Sequence, residues 1–465
     1  MAFLIGGANS AVDTGYSVGN SCRFDDGSSD DLTRTQDSTN VTNGYKYTFS
    51  TWIKRGALGA VMTLLGNYKA DNEVGYIHFD ANDFLEVYDF QGSGPDLNYK
   101  TDMIFRDVSA WYNIVVSVDG TRSANARCKI YVNGSQVSCS STVDTGGLLG
   151  IQYADATNGL RIGSRGSSGG TIGYLDGYMA ETIYIDGAGL APTDFGEFNS
   201  NSPTIWQPID VSGLTFGNNG FYLNYADSGD LGDDESGNTN DLTENNIAAA
   251  NQGVDSPTNN FCTMNPLIPT TNATFSEGNC KLVTGGSSIQ GGGIGTFGVG
   301  AGKWWWEVKI QATLGNHTNG VVSELTSELY TNVTGLQNDT GVTQFRNDDG
   351  GEMNTDGTAT TADYGTFDDG DIMGIALNAD DNQISIYDNG SAIVSNFALS
   401  STRGNFLFPY FGSGINTTWE VNFGGCPAFA LSSAANDANG YGNFEHAPPS
   451  GYLALCSKNL GSSGG

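Results

Sequence analysis

The residues whose type and spacing best suit chemistry lie in one acidic segment between positions 227 and 241. This segment offers carboxylate and amide oxygens at close spacing, on Asp227, Asp230, Asp233, Asp234, Glu235, Asn238 and Asp241. Hard oxygen ligands of this kind are the ones that Ca²⁺ prefers. The segment indicates either a solvated acidic turn that binds no ion, or a Ca²⁺ site with ligands drawn from Asp233, Asp234, Asn238 and Asp241.

The sequence contains no pattern that predicts catalysis. Glycoside hydrolysis needs two carboxylates about 5–10 Å apart across a cleft, which on one strand requires acids at alternating positions. Glu86 and Asp89 are three residues apart, so on a strand they point to opposite faces. The three histidines, His78, His317 and His446, are too scattered for a zinc site or a catalytic triad. We therefore predict a protein that is not an enzyme and that requires no cofactor.

The chain is strongly acidic, with a formal net charge of −32 from 51 acidic and 19 basic residues. Nucleic acids are poor partners for such a chain, because phosphate contacts need clustered Lys and Arg. Anionic membrane surfaces are disfavoured for the same reason, and no apolar run approaches membrane-spanning length, so we predict no membrane insertion. The seven cysteines form no Cys-x-x-Cys pair, which favours buried thiols in a chain folded in a reducing cytoplasm.

Short β-strands are the predicted elements of the first part of the chain. Gly supplies 66 of 465 residues, about twice its ordinary share, and long helical periodicity is absent. Strands are centred on Trp52 and on Trp111-Tyr112, Asn133-Gly134 marks a tight hairpin, and a long strand covers 176–187. These elements predict an antiparallel β-sandwich over residues 21–208.

A second set of strands follows after residue 270. Trp304-Trp305-Trp306 lies in one strand, and a nearly continuous apolar run at 372–377 predicts a strand that is buried on both faces. Asp388-Asn389-Gly390 is a strong tight-turn signal, and further strands lie around Phe408 and Val421. These elements predict a second β-sandwich over residues 271–430.

The two regions resemble two known families. The Trp52 strand, the Trp111-Tyr112 strand, the Tyr131–Gly134 hairpin and the 176–181 strand are similar to those of the laminin-G-like, concanavalin-A-like jelly roll. The second region resembles SPRY domains, and its matching segments are 302–310, 370–390, 408–410 and 421–424. The SPRY resemblance implies a module that binds partners. A laminin-G-like unit followed by a SPRY-like unit resembles the lectin-type proteins of bacteriophage particles.

The remaining segments complete the predicted layout. Residues 1–20 are small and glycine-rich, which is typical of a flexible tail or of an arm that orders against a neighbouring subunit. Residues 209–270 are expected to connect the two sandwiches and to include the acidic loop. Residues 431–465 are a polar C-terminal extension.

Aromatic residues and loops provide the candidates for glycan binding. Within a strand, Trp304 and Trp306 share one face and Trp305 takes the other, so core packing is the expected role of the triplet. The better contact candidates are on predicted loops: Tyr153, Asn158, Arg165, Asn316, His317, Asn347 and Asp348.

The sequence thus predicts an all-β protein with two antiparallel β-sandwich domains in series. The resemblance implies a bacteriophage virion surface protein, either a tail or head fibre or a capsid decoration, that attaches to host-surface glycan. Its expected partners are other virion proteins and copies of itself, as a homo-oligomer such as a trimer, and it would fold in the host cytoplasm before assembly. The alternatives are a purely structural capsid cement protein without receptor binding and, less favoured, a secreted bacterial adhesin.

Overall fold

The computed structural model describes most of the chain. The described residues are 4–5, 15–37, 39–71, 73–92, 94–145, 151, 159–268, 270, 272–285, 291–312, 317–327, 329, 336–347, 350–414 and 416–463. The backbone divides into a first unit, Ala11–Thr258, and a second unit, Asn259–Gly465 together with Met1–Ser10. No described helix is long and apolar enough to cross a membrane.

The predicted N-terminal arm over residues 1–20 is divided between the two units. The first strand, β1 (Leu4–Ile5), pairs in parallel with Phe297–Gly298 and so belongs to the second unit. The backbone carbonyl of Val18 accepts hydrogen bonds from the hydroxyls of Ser256 (2.8 Å) and Thr258 (3.0 Å) within the first unit. Residues 15–20 are therefore joined to the end of the first unit.

The first unit is built from short antiparallel strands. Its strands are β2 (Ser21–Phe24), β3 (Asp31–Arg34), β4 (Lys46–Arg55), β5 (Met62–Ala70), β6 (Glu73–Phe79), β7 (Phe84–Gln91), β8 (Pro95–Ile104), β9 (Tyr112–Asp119), β10 (Cys128–Val132), β11 (Ser135–Gln136), β12 (Cys139–Asp144), β13 (Leu160–Ile162), β14 (Arg165–Ser167), β15 (Gly170–Ile172), β16 (Gly177–Asp186), β17 (Gly196–Phe198), β18 (Trp206–Pro208), β19 (Phe221–Leu223), β20 (Thr243–Asn245) and β21 (Gln252–Gly253). Short 3-10 helices lie at Pro192–Asp194 and Ala249–Asn251.

Two large sheets enclose the core of the first unit. The back sheet has the order β11-β10-β9-β4-β16-β2-β21, with β19 also paired to β16, and the front sheet has the order β12-β8-β7-β6-β5-β13-β3-β20. Alternate residues of each sheet point inward, so that Phe49 and Ile53 of the back sheet share one core cluster with Ile77 and Val87 of the front sheet. This arrangement confirms the predicted antiparallel β-sandwich.

The outer face of the back sheet is covered by the chain itself. Val115 and Ile183 point away from the core and join a second apolar cluster with Phe195, Phe216 and Tyr222. These three aromatic side chains come from the segment that follows β16 and are buried against the sheet. The central strands of the back sheet are therefore buried on both faces, and they carry apolar side chains on both faces as a result.

The predicted connecting segment, 209–270, lies largely inside the first unit. β19 pairs with β16, β20 with β3 and β21 with β2, so residues 221–253 extend both sheets. The boundary between the units lies at residues 258–259. These strands are two or three residues long, too short for an alternating pattern to identify them in the sequence.

The second unit is also antiparallel. Its further strands are β22 (Ala273–Ser276), β23 (Lys281–Thr284), β24 (Gly291–Ile294), β25 (Phe297–Gly298), β26 (Lys303–Ala312), β27 (Thr318–Ser323), β28 (Val342–Arg346), β29 (Glu352–Thr355), β30 (Thr358–Ala359), β31 (Ile372–Asn378), β32 (Gln383–Asp388), β33 (Ser391–Ala398), β34 (Leu407–Gly414), β35 (Thr417–Asn422) and β36 (Leu453–Ala454). A 3-10 helix covers Leu336–Asn338, and one α-helix, α1, covers Ser457–Ser463.

The sheets of the second unit have the orders β22-β23-β35-β26-β31-β32-β33 and β24-β34-β27-β28-β29-β30. Trp304 and Trp306 belong to the core cluster between them, as their shared face predicts. Trp305 points the other way and is still only 1% exposed, with its ring 5.3 Å from that of Tyr387. Part of the C-terminal extension returns to this strand, because β36 pairs in parallel with β26 at Trp304 and Trp305.

A buried carboxylate makes the stability of the first unit depend on pH. Glu181 lies in a β-bulge of β16 with a positive φ of 49°, and its Oε2 accepts a hydrogen bond from the Tyr222 hydroxyl at 2.7 Å. Burial raises the pKa of Glu181 from 4.5 to about 7, with the hydrogen bonds from Tyr222 and Tyr16 opposing the rise. The folded state thus holds this proton more tightly than the unfolded chain does.

We expect Glu181 to cost stability as pH rises. Because the folded state holds the Glu181 proton more tightly, the full stability is present below about pH 4.5. Part of that stability is lost as the pH rises to about 7 and the carboxyl ionises. Relative to the wild type, Glu181→Gln is therefore expected to gain on the order of 3 kcal/mol between pH 4.5 and pH 8. Denaturant unfolding of both proteins across this range measures the gain, with the exposed Glu197→Gln as control. A stability difference that does not change with pH would contradict the assignment.

Candidate functional site

The outer face of the front sheet carries two adjacent rows of side chains across β6, β7 and β8. Ile77 and Val87 point into the core, so their neighbours in sequence point outward. Strand register places these neighbours in two rows. One row is Tyr76, Tyr88 and Asn98, and the other is His78, Glu86 and Lys100. We call these six residues, with Arg165, the aromatic face.

Stacked rings form the centre of the aromatic face. The rings of Tyr76 and Tyr88 are directly opposite in register, with centroids 4.9 Å apart and planes 16° apart. The His78 ring also stacks on Tyr76, with the two ring centroids 4.4 Å apart. Both tyrosines are partly exposed, whereas His78 is buried. The arrangement offers a flat, partly exposed aromatic surface of more than one ring.

A polar row borders these rings. His78 Nε2 and Glu86 Oε2 lie 3.1 Å apart, and Lys100 forms an ion pair with Asp80. The hydrogen bond with His78 holds the pKa of the Glu86 carboxyl below its usual value, and the Lys100 charge adds to this effect. Burial raises the pKa of Tyr76 to about 12, and the Glu86 charge adds to the rise. Tyr76 therefore keeps its proton at neutral pH and presents a hydroxyl beside charged groups.

Arg165 reaches the aromatic face because of a glycine. Gly66 of β5 is opposite Tyr76 in register, and the hairpin β14–β15 crosses the sheet at that point. A Cβ on Gly66 would lie 2.5 Å from the Cβ of Arg165, so a side chain there would displace the hairpin strand. The space left by Gly66 allows the Arg165 guanidinium to lie over the Tyr76 ring, 4.1 Å from its centroid.

Of the seven predicted contact residues, the structure brings only Arg165 to this face among those it describes. His317 and Asn347 are in the second unit and are buried, not exposed on loops. The Asn347 side chain braces a turn, because it donates to the Phe367 carbonyl at 3.0 Å and accepts from the Phe367 amide at 2.6 Å. Four predicted contact residues lie outside the described residues: Tyr153, Asn158, Asn316 and Asp348.

The acidic segment uses its central carboxylate to hold its own backbone. Asp234 is buried and accepts hydrogen bonds from the backbone amides of Tyr222, Ser236 and Asn240 at 2.8–2.9 Å. Asn238 donates to the carbonyls of Gly217 and Gly220, and Asp241 accepts from the Asp234 amide. Asp233 and Asp241 are exposed. The segment therefore folds around Asp234, which uses both carboxylate oxygens to hold backbone amides.

Among the described residues, three carboxylates elsewhere bring ligand atoms within 4.8 Å of one another. They are Asp25, Asp26 and Asp176 of the first unit, and no ligand of the acidic segment is among them. Acidic groups this close are common in proteins without an ion, so the geometry alone assigns no metal.

We expect Asp234→Ala to destabilise the first unit to the same extent with and without Ca²⁺. The substitution leaves the buried amides of Tyr222 and Asn240 without their acceptor, which costs about 1–3 kcal/mol for each buried group. Thermal unfolding in excess Ca²⁺ and in chelator measures the loss, with the exposed neighbour Asp233→Ala as control. A Ca²⁺-dependent stabilisation of the wild type that the variant lacks would contradict this expectation and support the predicted Ca²⁺ site.

Two family profiles match the chain, one in each unit. Residues 26–188 match the concanavalin A-like lectin/glucanases superfamily, and residues 303–426 match the SPRY domain. The first match contains the whole aromatic face. Lectin-like and SPRY domains typically bind partners, and the superfamily of the first match also includes glucanases.

Solved structures that match parts of the chain share little sequence with it. The SPRY domain of human HERC1 is 19% identical, and the match covers 34% of this chain and 96% of that domain with a TM-score of 0.28. A candidate carbohydrate-binding protein from Bacteroides ovatus is 17% identical, and the match covers 50% of this chain and 59% of that protein with a TM-score of 0.35. A heptameric SAP-like pentraxin from Limulus polyphemus is 16% identical over 38% of this chain and 79% of its own, with a TM-score of 0.28.

No curated protein sequence matches the chain. The two profile matches cover separate segments and agree with the two β-sandwiches that the strands form. The chain therefore carries a concanavalin A-like lectin-type domain followed by a SPRY domain.

Proposed function

We propose that the lectin-type domain binds a glycan through the aromatic face. The observation that carries this proposal is the stacked Tyr76–Tyr88 pair, partly exposed and bordered by charged and amide side chains. Sugar rings present a flat face of C–H groups that stacks on aromatic rings, and their hydroxyls hydrogen-bond to neighbouring polar side chains. Binding sites of this kind combine an apolar surface with a few placed polar groups.

The outer face of the front sheet is favoured as the binding surface, because the outer face of the back sheet is covered by other parts of the chain. The outer face of the back sheet is buried under Phe195, Phe216 and Tyr222. The tyrosines of the front sheet remain partly exposed, with the hairpin β14–β15 packed beside them. A lone exposed aromatic residue needs no explanation, but aligned rings on one face mark a recognition surface.

Binding without hydrolysis is the activity we propose for this face. Two carboxylates border it: Glu86 is hydrogen-bonded to His78 and lies opposite Lys100 in register, and Asp80 forms an ion pair with the same Lys100. A glycosidase needs two carboxylates that face each other across the scissile bond. Asp89, the nearest acid along the strand, is buried on the core side of the sheet.

We further propose that the chain is a surface protein of a bacteriophage particle, as a tail or head fibre or a capsid decoration, that attaches to host-surface glycan. The order of the two domains supports this role, because it resembles the lectin-type proteins of such particles. The charge of −32 is consistent with a protein that contacts neither nucleic acid nor anionic membrane. A homo-oligomer, such as a trimer, bound to other virion proteins would present several glycan sites at once.

A glycan array and a pull-down with purified phage particles test these proposals together. We expect the recombinant chain to bind selected polysaccharides of the host cell surface, and light scattering to show an oligomer. Binding to empty capsids without any glycan or cell binding would instead establish a cement protein and would overturn the receptor role.

A further inference from the structure

The charges on the aromatic face are unequally neutralised. Lys100 forms an ion pair with Asp80, and the Glu86 carboxylate is hydrogen-bonded to the His78 ring. In the part of the chain that the structure describes, Arg165 takes part in none of the ion pairs, and its guanidinium contacts the Tyr76 ring. A chain with 51 acidic and 19 basic residues thus keeps one cation on this face without a carboxylate partner.

The position of Arg165 is fixed by its surroundings. Its Cβ lies in the space that Gly66 leaves open, and a Cβ on the next residue, Gly166, would lie 2.7 Å from the Cβ of Tyr68. The guanidinium uses its flat side to stack on Tyr76. Because Nε of Arg165 is buried, the terminal N–H groups of the guanidinium are the ones that can bind a ligand, and their planar arrangement matches the two oxygens of a carboxylate.

From this geometry, and resting on the proposed function, we infer that the glycan is acidic and that Arg165 binds a carboxylate of one of its sugars. A sugar ring of the same glycan stacks on Tyr88, which flanks Tyr76 on the side away from Gly66. Arg165 is then the residue that separates acidic from neutral glycans, while Tyr88 contributes to binding of both kinds. The ligand class is a carboxylate-bearing polysaccharide, such as one built from uronic acids.

Matched polymers separate this inference from the proposed function. The full chain is tested against immobilised polygalacturonate, alginate, hyaluronate and polysialic acid, each beside its carboxyl-reduced form, and against dextran sulfate. We expect at least one carboxylated polymer to bind about tenfold or more tightly than its reduced form. Dextran sulfate, which has anionic charge but no carboxylate, is expected to bind weakly, and equal binding to it would overturn the carboxylate assignment.

Variants of Arg165 then test the residue. Arg165→Gln is expected to lose about tenfold or more in affinity for the carboxylated polymer, so that its affinities for the carboxylated and the carboxyl-reduced polymer become nearly equal. Arg165→Lys keeps the positive charge but not the planar pair of N–H donors. Its affinity for the carboxylated polymer is expected to lie between those of the wild type and Arg165→Gln. Arg403→Gln in the SPRY domain is the control, and circular dichroism checks that each variant is folded.

The remaining outcomes distinguish the two claims. One outcome is that neutral and carboxylated polymers bind equally, that Tyr88→Ala abolishes binding of both polymers, and that Arg165→Gln changes the affinity for neither polymer. In that case the proposed glycan binding stands, and the specificity for acidic glycans is overturned. If no polymer binds, or if Tyr88→Ala has no effect on binding, the glycan-binding function of this face is itself overturned.

Discussion

Replacing Tyr88 with alanine is expected to weaken glycan binding by about tenfold or more, equivalent to about 1.4 kcal/mol or more of binding free energy. Tyr88 is the more exposed end of the stacked pair, because Tyr76 is held between Tyr88, His78 and Arg165. Removing the Tyr88 ring takes away half of the flat surface and leaves the polar row in place.

The loss should appear in binding and not in folding. A partly exposed strand residue contributes about 1 kcal/mol or less to stability, so the variant is expected to remain folded. Titration of the polysaccharide that the array selects measures the affinity of Tyr88→Ala and of the control Tyr45→Ala. Tyr45 is a more exposed tyrosine, 41% exposed, that precedes β4 of the back sheet. Equal affinity losses in both variants would contradict a site on the front sheet.

The largest stability effect is expected at Asp255, near the end of the first unit. Its carboxylate lies 2.7 Å from Lys54 Nζ, and both side chains are almost fully buried, 2% and 1% exposed. Trp111 Nε1 donates a further hydrogen bond to it at 3.0 Å. Asp255→Ala leaves the Lys54 charge buried without this partner, which costs about 3–5 kcal/mol.

Chemical denaturation measures this loss, and two further variants make it specific. Lys54→Met combined with Asp255→Ala removes both charges and is expected to recover much of the stability, because an apolar pair needs no compensation. Asp210→Ala, an exposed acid of the same unit, is expected to change stability little. An Asp255→Ala protein as stable as Asp210→Ala would show that the ion pair does not hold the end of the unit.

Local signals in the sequence were sufficient for the strands and the tight turns. Asn133-Gly134 and Asn389-Gly390 each form a two-residue loop between paired strands, with positive φ at all four positions. The alternation around the tryptophan triplet placed Trp304 and Trp306 in the core. The all-β class and the order of the two domains are confirmed because they depend on such short-range patterns and on family resemblance.

Long-range pairing explains what the sequence could not predict. The stack of Tyr76 on Tyr88 depends on the register of β6 against β7, which a shift of one residue would destroy. Arg165 was a candidate only because of its loop position, and its contact with Tyr76 requires Gly66, about a hundred residues earlier in the chain. Asp255 falls within the predicted connecting segment, 209–270, and nothing near it in the sequence indicates a partner at position 54.

The central claim is that the aromatic face of the lectin-type domain binds glycan. A crystal structure of the full chain with an oligosaccharide of the polymer that the array selects tests it most directly. The account predicts a sugar ring stacked on Tyr88 and Tyr76, with a carboxylate at Arg165. A sugar bound elsewhere, for example on the SPRY domain or beside Asp25 and Asp176, with the front sheet empty would contradict it.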